Sequence, residues 1–417
     1  MNKFLIARFP KPDFTSGYQY PEIIHGLPYE TFWSWMDVAV LIIMLSIAAW
    51  AVHKRRSRSV LFTESIISVL YFGFFRSGCV CSVGSIQNVV LALNDSSYNL
   101  PLAVLLLFLI PLVSALFFGR VFCAGVCPMG ALQEIVNVRN FRLSRAVTNA
   151  LGFIPWIYLA FAVMYAATRS QFIICRFDPF IGIFRMGGDI GMIVFGVILL
   201  LLSVFMGRPF CQFLCPYGAL MGLVSRVSVR RVEVTAKECI NCTLCHNACP
   251  VDAIRPLHAN RPEETRMTGV RRILLYFVML PLLTVGGALL LQSRSEVLAG
   301  ANKDVRLMRM LNEYDAAPDE GMTAEVEAFY EMGRSIDELT ERVDATLLSF
   351  RHWSLIAGGM IGLALGCRLI RLSVKRTRKT YEIEPAACVA CGKCFNYCPQ
   401  NKSKINTDKI KYEPQDL

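Results

Sequence analysis

Charge is scarce in this chain. Only 18% of its 417 residues are Asp, Glu, Lys or Arg, while 54% are hydrophobic. Polar side chains in that proportion cannot cover the apolar surface, which argues against an ordinary soluble globule and for a lipid-facing exterior. Histidine is scarcer still, with only His25, His53, His246, His258 and His352. None falls within an expected membrane span to face another, so no haem is expected. Residues 1–32 carry Lys3, Arg8 and Lys11 but lack the apolar core and small-residue cleavage site of a secretory leader, and the first apolar segment is expected to remain as an anchor.

The net charge of +11 would suit nucleic acid if it formed one face. Instead the basic residues gather in short segments beside apolar runs, as from Lys54 to Arg58. That is the pattern of membrane orientation, and the expected partner is the lipid bilayer, with no nucleic acid.

A spanning helix needs about 20 largely apolar residues. Seven stretches approach this: 35–52, 60–77, 101–118, 148–167, 187–206, 270–292 and 353–371. The second is interrupted by Glu64 and Ser65, and a re-entrant helix is the alternative there. Basic residues follow the first stretch (Lys54, Arg55, Arg56, Arg58), the third (Arg139, Arg142, Arg145), the fifth (Arg226, Arg230, Arg231) and the seventh (Arg371, Lys375, Arg376, Arg378, Lys379). With seven helices these all fall on one side, which predicts a multi-pass protein of the bacterial cytoplasmic membrane with its N-terminus outside and its C-terminus inside. The long external segment 293–352 is predicted to contain an amphipathic helix from Thr323 to Leu348.

The 16 cysteines are the main chemical signal. Cys239, Cys242, Cys245 and Cys249-Pro250 form one C-x2-C-x2-C-x3-C-P run, and Cys388, Cys391, Cys394 and Cys398-Pro399 form another. A [4Fe–4S] cluster needs four thiolates, and in two-cluster ferredoxins the fourth cysteine of each run ligates the other cluster. The expected sets are Cys239, Cys242, Cys245 and Cys398 for cluster 1, and Cys388, Cys391, Cys394 and Cys249 for cluster 2. Zinc or structural cysteines are the competing explanation. Cys242-Thr243-Leu244-Cys245-His246 also fits a haem-c attachment pattern, but that would remove two thiolates from the ferredoxin run.

An internal repeat carries a third cysteine pattern. Gly119-Arg120-Val121-Phe122-Cys123 before Cys127-Pro128 recurs as Gly207-Arg208-Pro209-Phe210-Cys211 before Cys215-Pro216. Cysteines four apart share a helix face, and proline suits the first turn of a following helix. Two hairpins related by a pseudo-two-fold axis along the membrane normal would bring Cys123, Cys127, Cys211 and Cys215 together, enough for a membrane centre near the inner face. Buried small hydrophobes are the plainer explanation. Cys79, Cys81 and Cys175 are expected near the outer face, with Asp178 or an outside ligand completing a centre and Arg76 and Arg176 compensating its charge. A disulfide between two of them is the alternative. Cys367 is expected to pack in the last helix.

Together, Cys123–Pro128, Cys211–Pro216, Cys239–Pro250 and Cys388–Pro399 resemble the NapH/NosR-type polyferredoxins over roughly residues 60–260 and 380–400. That resemblance implies an electron conduit between the quinone pool or cytoplasmic donors (a ferredoxin or dehydrogenase) and a periplasmic reductase or flavoprotein. The chain lacks a D-G-x-T/S-G-A-T motif, so no covalent flavin is expected.

The fold expected is a mainly α membrane protein of about seven transmembrane helices with an internal helical-hairpin repeat, plus a split two-[4Fe–4S] ferredoxin domain on the cytoplasmic side. Its parts are an external segment (1–34), a transmembrane core (35–232), ferredoxin half 1 (233–265), a transmembrane hairpin (266–372) and ferredoxin half 2 (373–417). The function expected is transmembrane electron transfer, with no catalytic residue assigned. The alternatives are a redox sensor or maturation factor for a metalloenzyme, or a quinol dehydrogenase subunit in which Asp37 and Glu64 are the acids to test.

Overall fold

The computed structural model describes residues 32–78, 81–138, 141, 143–233, 242–255, 266–316, 323–332, 335–373 and 381–399. Cys79, Cys239, residues 1–31 of the N-terminal segment and the basic residues Arg139, Arg142, Lys375, Arg376, Arg378 and Lys379 lie outside the described residues.

The chain is mostly helical, and several of its helices are candidates to cross a membrane. The first is α1 (Phe32–Trp50), extended by a π-helical turn over Ala51–Arg55. The next, α2 (Arg58–Ser68), runs on through a π-helical stretch, Val69–Phe75, to make a continuous 18-residue span. The second apolar stretch is thus one continuous helix, long and apolar enough to cross a membrane.

A half-length helix follows it. The turn at Cys81–Gly84 leads into α3 (Ser85–Asn94), whose 10 residues span only about 15 Å, half the apolar thickness of a bilayer. At its C-terminal end α3 meets the turn that starts α4 (Leu102–Phe118), a full-length apolar helix. The start of α3 therefore lies part-way down the bundle.

The first cysteine repeat follows as a π-helical turn, Phe122–Val126, and α5 (Pro128–Ile135). Then come α6 (Arg145–Leu151) and α7 (Ile154–Ala167), the short α8 (Ile173–Arg176) and α9 (Ile181–Arg185), and the apolar α10 (Ile190–Phe205). The second repeat is α11 (Pro209–Phe213) and α12 (Pro216–Val224). The two repeats exchange backbone bonds: Phe141 N–H donates to Phe205 O at 2.7 Å, and Arg230 N–H donates to Phe117 O at 2.9 Å. Each repeat's exit segment is thus tied to the membrane helix that feeds the other.

The ferredoxin part is assembled from both ends of this region. It contains α13 (Leu244–Ala248) and β1 (Ile254–Arg255), then, after five intervening helices, β2 (Glu382–Ile383) and α19 (Lys393–Tyr397). β1 and β2 pair antiparallel, Ile254 opposite Ile383 and Arg255 opposite Glu382. Between them the chain forms α14 (Arg266–Gln292), α15 (Ser295–Ala299), α16 (Lys303–Ala316), α17 (Ala324–Glu331) and α18 (Ile336–Ser373).

The α14–α18 hairpin packs backbone against backbone. A Cβ on Gly358 would stand 2.2 Å from Gly287 O, and one on Gly362 would stand 2.0 Å from Leu283 O, so only glycine fits at this crossing. No residue of α14 is buried, which suits a helix whose remaining faces meet lipid.

Two expectations change here. The amphipathic pattern from Thr323 to Leu348 is split between α17 and α18, because Ser335 Oγ accepts the Asp337 N–H at 3.2 Å and starts a new helix. The last membrane stretch is also part of a much longer helix of 38 residues. As a result His352 lies within α18, and His53 falls in the last turn of the first span, where its Nε2 bonds Phe118 O at 2.9 Å. On the side away from the ferredoxin part, α15–α18 form a cap with an apolar core of Val326, Phe329, Leu339, Val343 and Phe350, seated on Ala160 and Met164 of α7.

Candidate iron–sulfur and redox centres

The ferredoxin runs share local geometry. The residue after the second cysteine of each run is left-handed: Thr243 at φ +61° and Gly392 at φ +72°. Cys249 and Cys398, each followed by proline, end α13 and α19 in extended conformation. Backbone N–H groups point at sulfur, from Ala253 to Cys249 Sγ at 3.2 Å and from Ala390 to Cys388 Sγ at 3.4 Å. Such bonds are among the features that set cluster potentials.

The structure brings Cys249 of the first run within electrostatic reach of Cys391 and Cys394 of the second. Burial pushes the Cys249 thiol up to about 11 and the Cys388 thiol up to about 12. Cys245 and Cys391 are buried, while Cys242, Cys394 and Cys398 are half-buried. His246 is committed to the fold, its Nδ1 bonding Ile254 O at 2.9 Å.

The four repeat cysteines are all buried, and each thiol lies within electrostatic reach of the others. They do not share one helix face, as the spacing suggested. Cys127 and Cys215 adopt extended conformation (φ −72° and −69°) as N-caps, and Pro128 and Pro216 occupy the first helical turn. That break turns the second thiol of each pair out of the preceding helical turn, and Cys215 Sγ accepts the Gly218 N–H at 3.2 Å. The pairs meet across the repeat: Gln133 Nε2 donates to Cys211 Sγ at 3.6 Å, and a Cβ on Gly130 would stand 3.4 Å from the same sulfur.

Around this quartet lies a buried charge cluster that sequence reading missed. Arg208, fully buried, donates through Nε to Glu134 Oε2 at 2.9 Å and through its Nη atoms to the carbonyls of Cys123 and Ala124. Arg58 also pairs with Glu134, and Lys393 of the ferredoxin part stands 3.1 Å from it. Burial alone would raise the Glu134 carboxyl, but Arg208, Lys393 and Arg58 overcome this and hold it at about 2. Arg120, 6% exposed, donates to Cys123 Sγ at 3.8 Å and to Ala386 O at 2.9 Å. Among the described residues no carboxylate pairs with Arg120, and its Nε has no partner. Four cations thus converge near the quartet with one carboxylate between them. Buried unpaired cations are costly, so the donor set fits an anionic occupant such as a thiolate-ligated iron–sulfur cluster.

Of the remaining cysteines among the described residues, Cys175 is exposed, while Cys81 is half-buried in the turn before α3 and lines one apolar cavity together with Cys127, Phe122 and Phe184. A Cβ on Gly84 would stand 3.2 Å from Cys175 Sγ, so Cys175 is brought against the Cys81 turn. Asp178 is buried nearby and accepts the Phe180 N–H at 2.9 Å.

The compensating arginines expected there are engaged elsewhere. Arg76 pairs with Asp37 at 2.7 Å, and Tyr71 OH donates to the same carboxylate at 3.0 Å. Arg176 bonds Gln171 Oε1 at 3.1 Å and lies over the Phe177 ring. Glu64, by contrast, is 4% exposed with neither oxygen partnered, and its Oε2 lies 3.4 Å from where a Gly125 Cβ would be. Cys367 is exposed on α18 rather than packed. Among the described residues, no three Cys, His, Asp or Glu side chains converge on a point for one ion.

Known proteins match parts of this chain. A 4Fe–4S binding domain family matches twice, over residues 100–146 and 189–235, each match enclosing one C-x3-C-P motif, and a second 4Fe–4S binding domain family matches residues 232–255. The chain is 45% identical over 53 residues to the electron transport protein YccM of Escherichia coli K12, which is 13% of this chain and 15% of that protein. It is 40% identical over 67 residues to the methylamine utilization ferredoxin-type protein MauN of Paracoccus denitrificans (16% and 22% of the two chains). It is 34% identical over 73 residues to the regulatory protein NosR of Stutzerimonas stutzeri (17% and 10%). The chain thus matches less than a quarter of the length of each of these relatives. No solved structure matches.

The chain thus carries matches to 4Fe–4S binding domains beside helices that are candidates to cross a membrane, and over short stretches it is similar to electron-transport and ferredoxin-type proteins. Within that class its resemblance is to the NapH/NosR-type polyferredoxins.

Proposed function

We propose that the protein passes electrons across the membrane, between a cytoplasmic ferredoxin unit and a redox partner on the far side. In this reading one [4Fe–4S] cluster is held by Cys239, Cys242, Cys245 and Cys398, and a second by Cys388, Cys391, Cys394 and Cys249. A further centre is held by Cys123, Cys127, Cys211 and Cys215. When bound, such groups supply one-electron chemistry. The chain's part is to hold them in series, exclude water and balance their charge.

The observation that carries the reading is the excess of four cations, buried Arg120 and Arg208 with half-buried Arg58 and Lys393, over Glu134 beside four buried thiols. The apolar core of a bilayer is about 30 Å thick, too far for a ferredoxin unit on one face to serve the other alone. Cys81, which shares a cavity wall with Cys127 and lies in the turn against which Cys175 is brought, offers the next position toward the far side. The α15–α18 cap on that side is the surface for a periplasmic reductase or flavoprotein.

The test uses proteoliposomes with a reduced viologen on one face and an impermeant acceptor on the other. Electron transfer that disappears in Cys211→Ser supports the reading; a sealed, iron-loaded protein that conducts nothing sinks it and favours a redox sensor or maturation factor.

One observation favours a second reading, quinol oxidation within the membrane core: the unpartnered Glu64 carboxyl between α2 and the Cys123–Cys127 turn. Glu64→Gln would then abolish cluster reduction by quinol while leaving reduction by dithionite intact. Equal reduction by quinol in both proteins would dismiss it.

A further inference from the structure

The two cysteine repeats align with a constant offset of 88 residues, which places Arg120 opposite Arg208 and Gly222 opposite Glu134. Arg208 of the second repeat is balanced by Glu134 of the first, but among the described residues Arg120 of the first repeat meets no carboxylate from the second. The space is taken by the ferredoxin unit: a Cβ on Gly222 would stand 3.0 Å from Ala386 O, the same carbonyl that accepts the Arg120 Nη1–H. A missing acid in the second repeat thus opens the seat for the segment leading into Cys388.

Several ties between the ferredoxin unit and the membrane core fall at or next to Cys249, Cys388, Cys391 and Cys394. Arg58 donates to Cys391 O at 2.7 Å, and Lys393 pairs with Glu134. Pro250, next to Cys249, presses on Gly207, where a Cβ would stand 2.1 Å from the proline ring, and Gln212 Nε2 donates to Val251 O at 3.3 Å. Arg120 carries its charge to both sides, toward Cys123, Cys211 and Cys215 in one direction and Cys388 in the other.

Resting on the function proposed above, we propose that the Cys249–Cys388–Cys391–Cys394 site is the membrane-facing end of the ferredoxin unit. Arg120, bridging Ala386 O and Cys123 Sγ, is the positioning residue that couples it to the quartet and raises the reduction potential on both sides. The site completed by Cys242, Cys245 and Cys398 is then the outer end, where a soluble one-electron iron–sulfur or flavin donor delivers. In each step one electron leaves the donor, which is oxidised by one unit, and the acceptor is reduced by one; no bond is made and no proton moves.

A buried cation favours the more negative, reduced form of a centre, so its removal lowers the potential. The experiment is an EPR-monitored redox titration of the full-length protein, with iron and sulfide counted on each sample. In Arg120→Met, two signals, those of the quartet and the membrane-facing cluster, are expected to become about tenfold harder to reduce, about 59 mV for a one-electron couple. The third signal should hold, and Arg120→Lys should restore most of the shift. Unchanged potentials, or a shift confined to the cluster lost in Cys242→Ser, would overturn the proposal.

If Arg120→Met does not accumulate, pulsed EPR on the reduced wild-type protein decides. The quartet signal should couple more strongly to the cluster that survives Cys242→Ser; stronger coupling to the one that is lost would overturn it. A wild-type protein with about eight irons and no third signal would instead remove the underlying reading.

Discussion

The two repeats place an arginine at the same position and treat it in opposite ways. Arg208 is fully buried, shares Glu134 with Arg58 and Lys393, and braces the Cys123–Ala124 backbone. Arg120 has no carboxylate among the described residues and spends its donors on a sulfur and on the ferredoxin unit. One repeat has become a structural anchor and the other an electrostatic contact. The difference traces to one position, Glu134 against Gly222, and shows how a duplicated hairpin can acquire a direction.

The sharpest way to break this comparison is at the anchor. Glu134→Ala leaves Arg208 buried without its counter-charge, which is expected to cost about 3–5 kcal/mol. The effect should appear as a large drop in thermal or denaturant stability in detergent, and a drop below about 1 kcal/mol would show that the network is solvated.

Acid should reproduce part of that loss in the wild type. Glu134 is held at about 2 in the fold against an ordinary value of 4.5. A depressed carboxylate stabilises above its unfolded value and loses that contribution as pH falls through the folded one. Stability should therefore decline between about pH 4.5 and about pH 2, by on the order of 3 kcal/mol from this group. Glu134→Gln should show a flatter profile over the same window, and identical profiles would contradict the assignment.

Making the repeats alike is a milder change. Gly222→Glu would set a carboxylate against Arg120 but drive its Cβ toward Ala386 O, an overpacking cost of about 1–3 kcal/mol. Faster proteolysis of the C-terminal ferredoxin half is the expected readout; unchanged protection would mean that Ala386 is not seated there. The smallest effect belongs to an ion pair outside the core. Arg342→Ala removes the exposed i,i+4 contact with Glu338 on α18 and should change stability by about 0.3–0.5 kcal/mol.

The chemistry of this chain was legible in sequence wherever it is local. Ferredoxin spacing, C-x3-C-P units and the two prolines that open α5 and α12 are written within a dozen residues, and apolar runs mark the membrane helices. The charge network was not, because Glu134 meets partners 74 and 76 residues away and Arg58 reaches a carbonyl 333 residues distant. A signal was available in the repeat itself, since extending the alignment past Gly130 and Gly218 exposes Glu134 against Gly222.

Helix α3 also escaped, because its 10 residues are too few to register as a spanning stretch. Arg76 and Arg176 were matched to cysteines by proximity in sequence, whereas Asp37 and Gln171 supply closer partners in space.

The central claim is that the Cys123–Cys127–Cys211–Cys215 quartet holds a centre of its own. It is tested most directly by counting iron and acid-labile sulfide in purified wild-type protein and in Cys211→Ser, with EPR on both. The account predicts more than the roughly eight irons of a two-cluster ferredoxin in the wild type, and a loss of about four in the variant with the ferredoxin signals intact. Equal iron in the two proteins, at about eight, would contradict it.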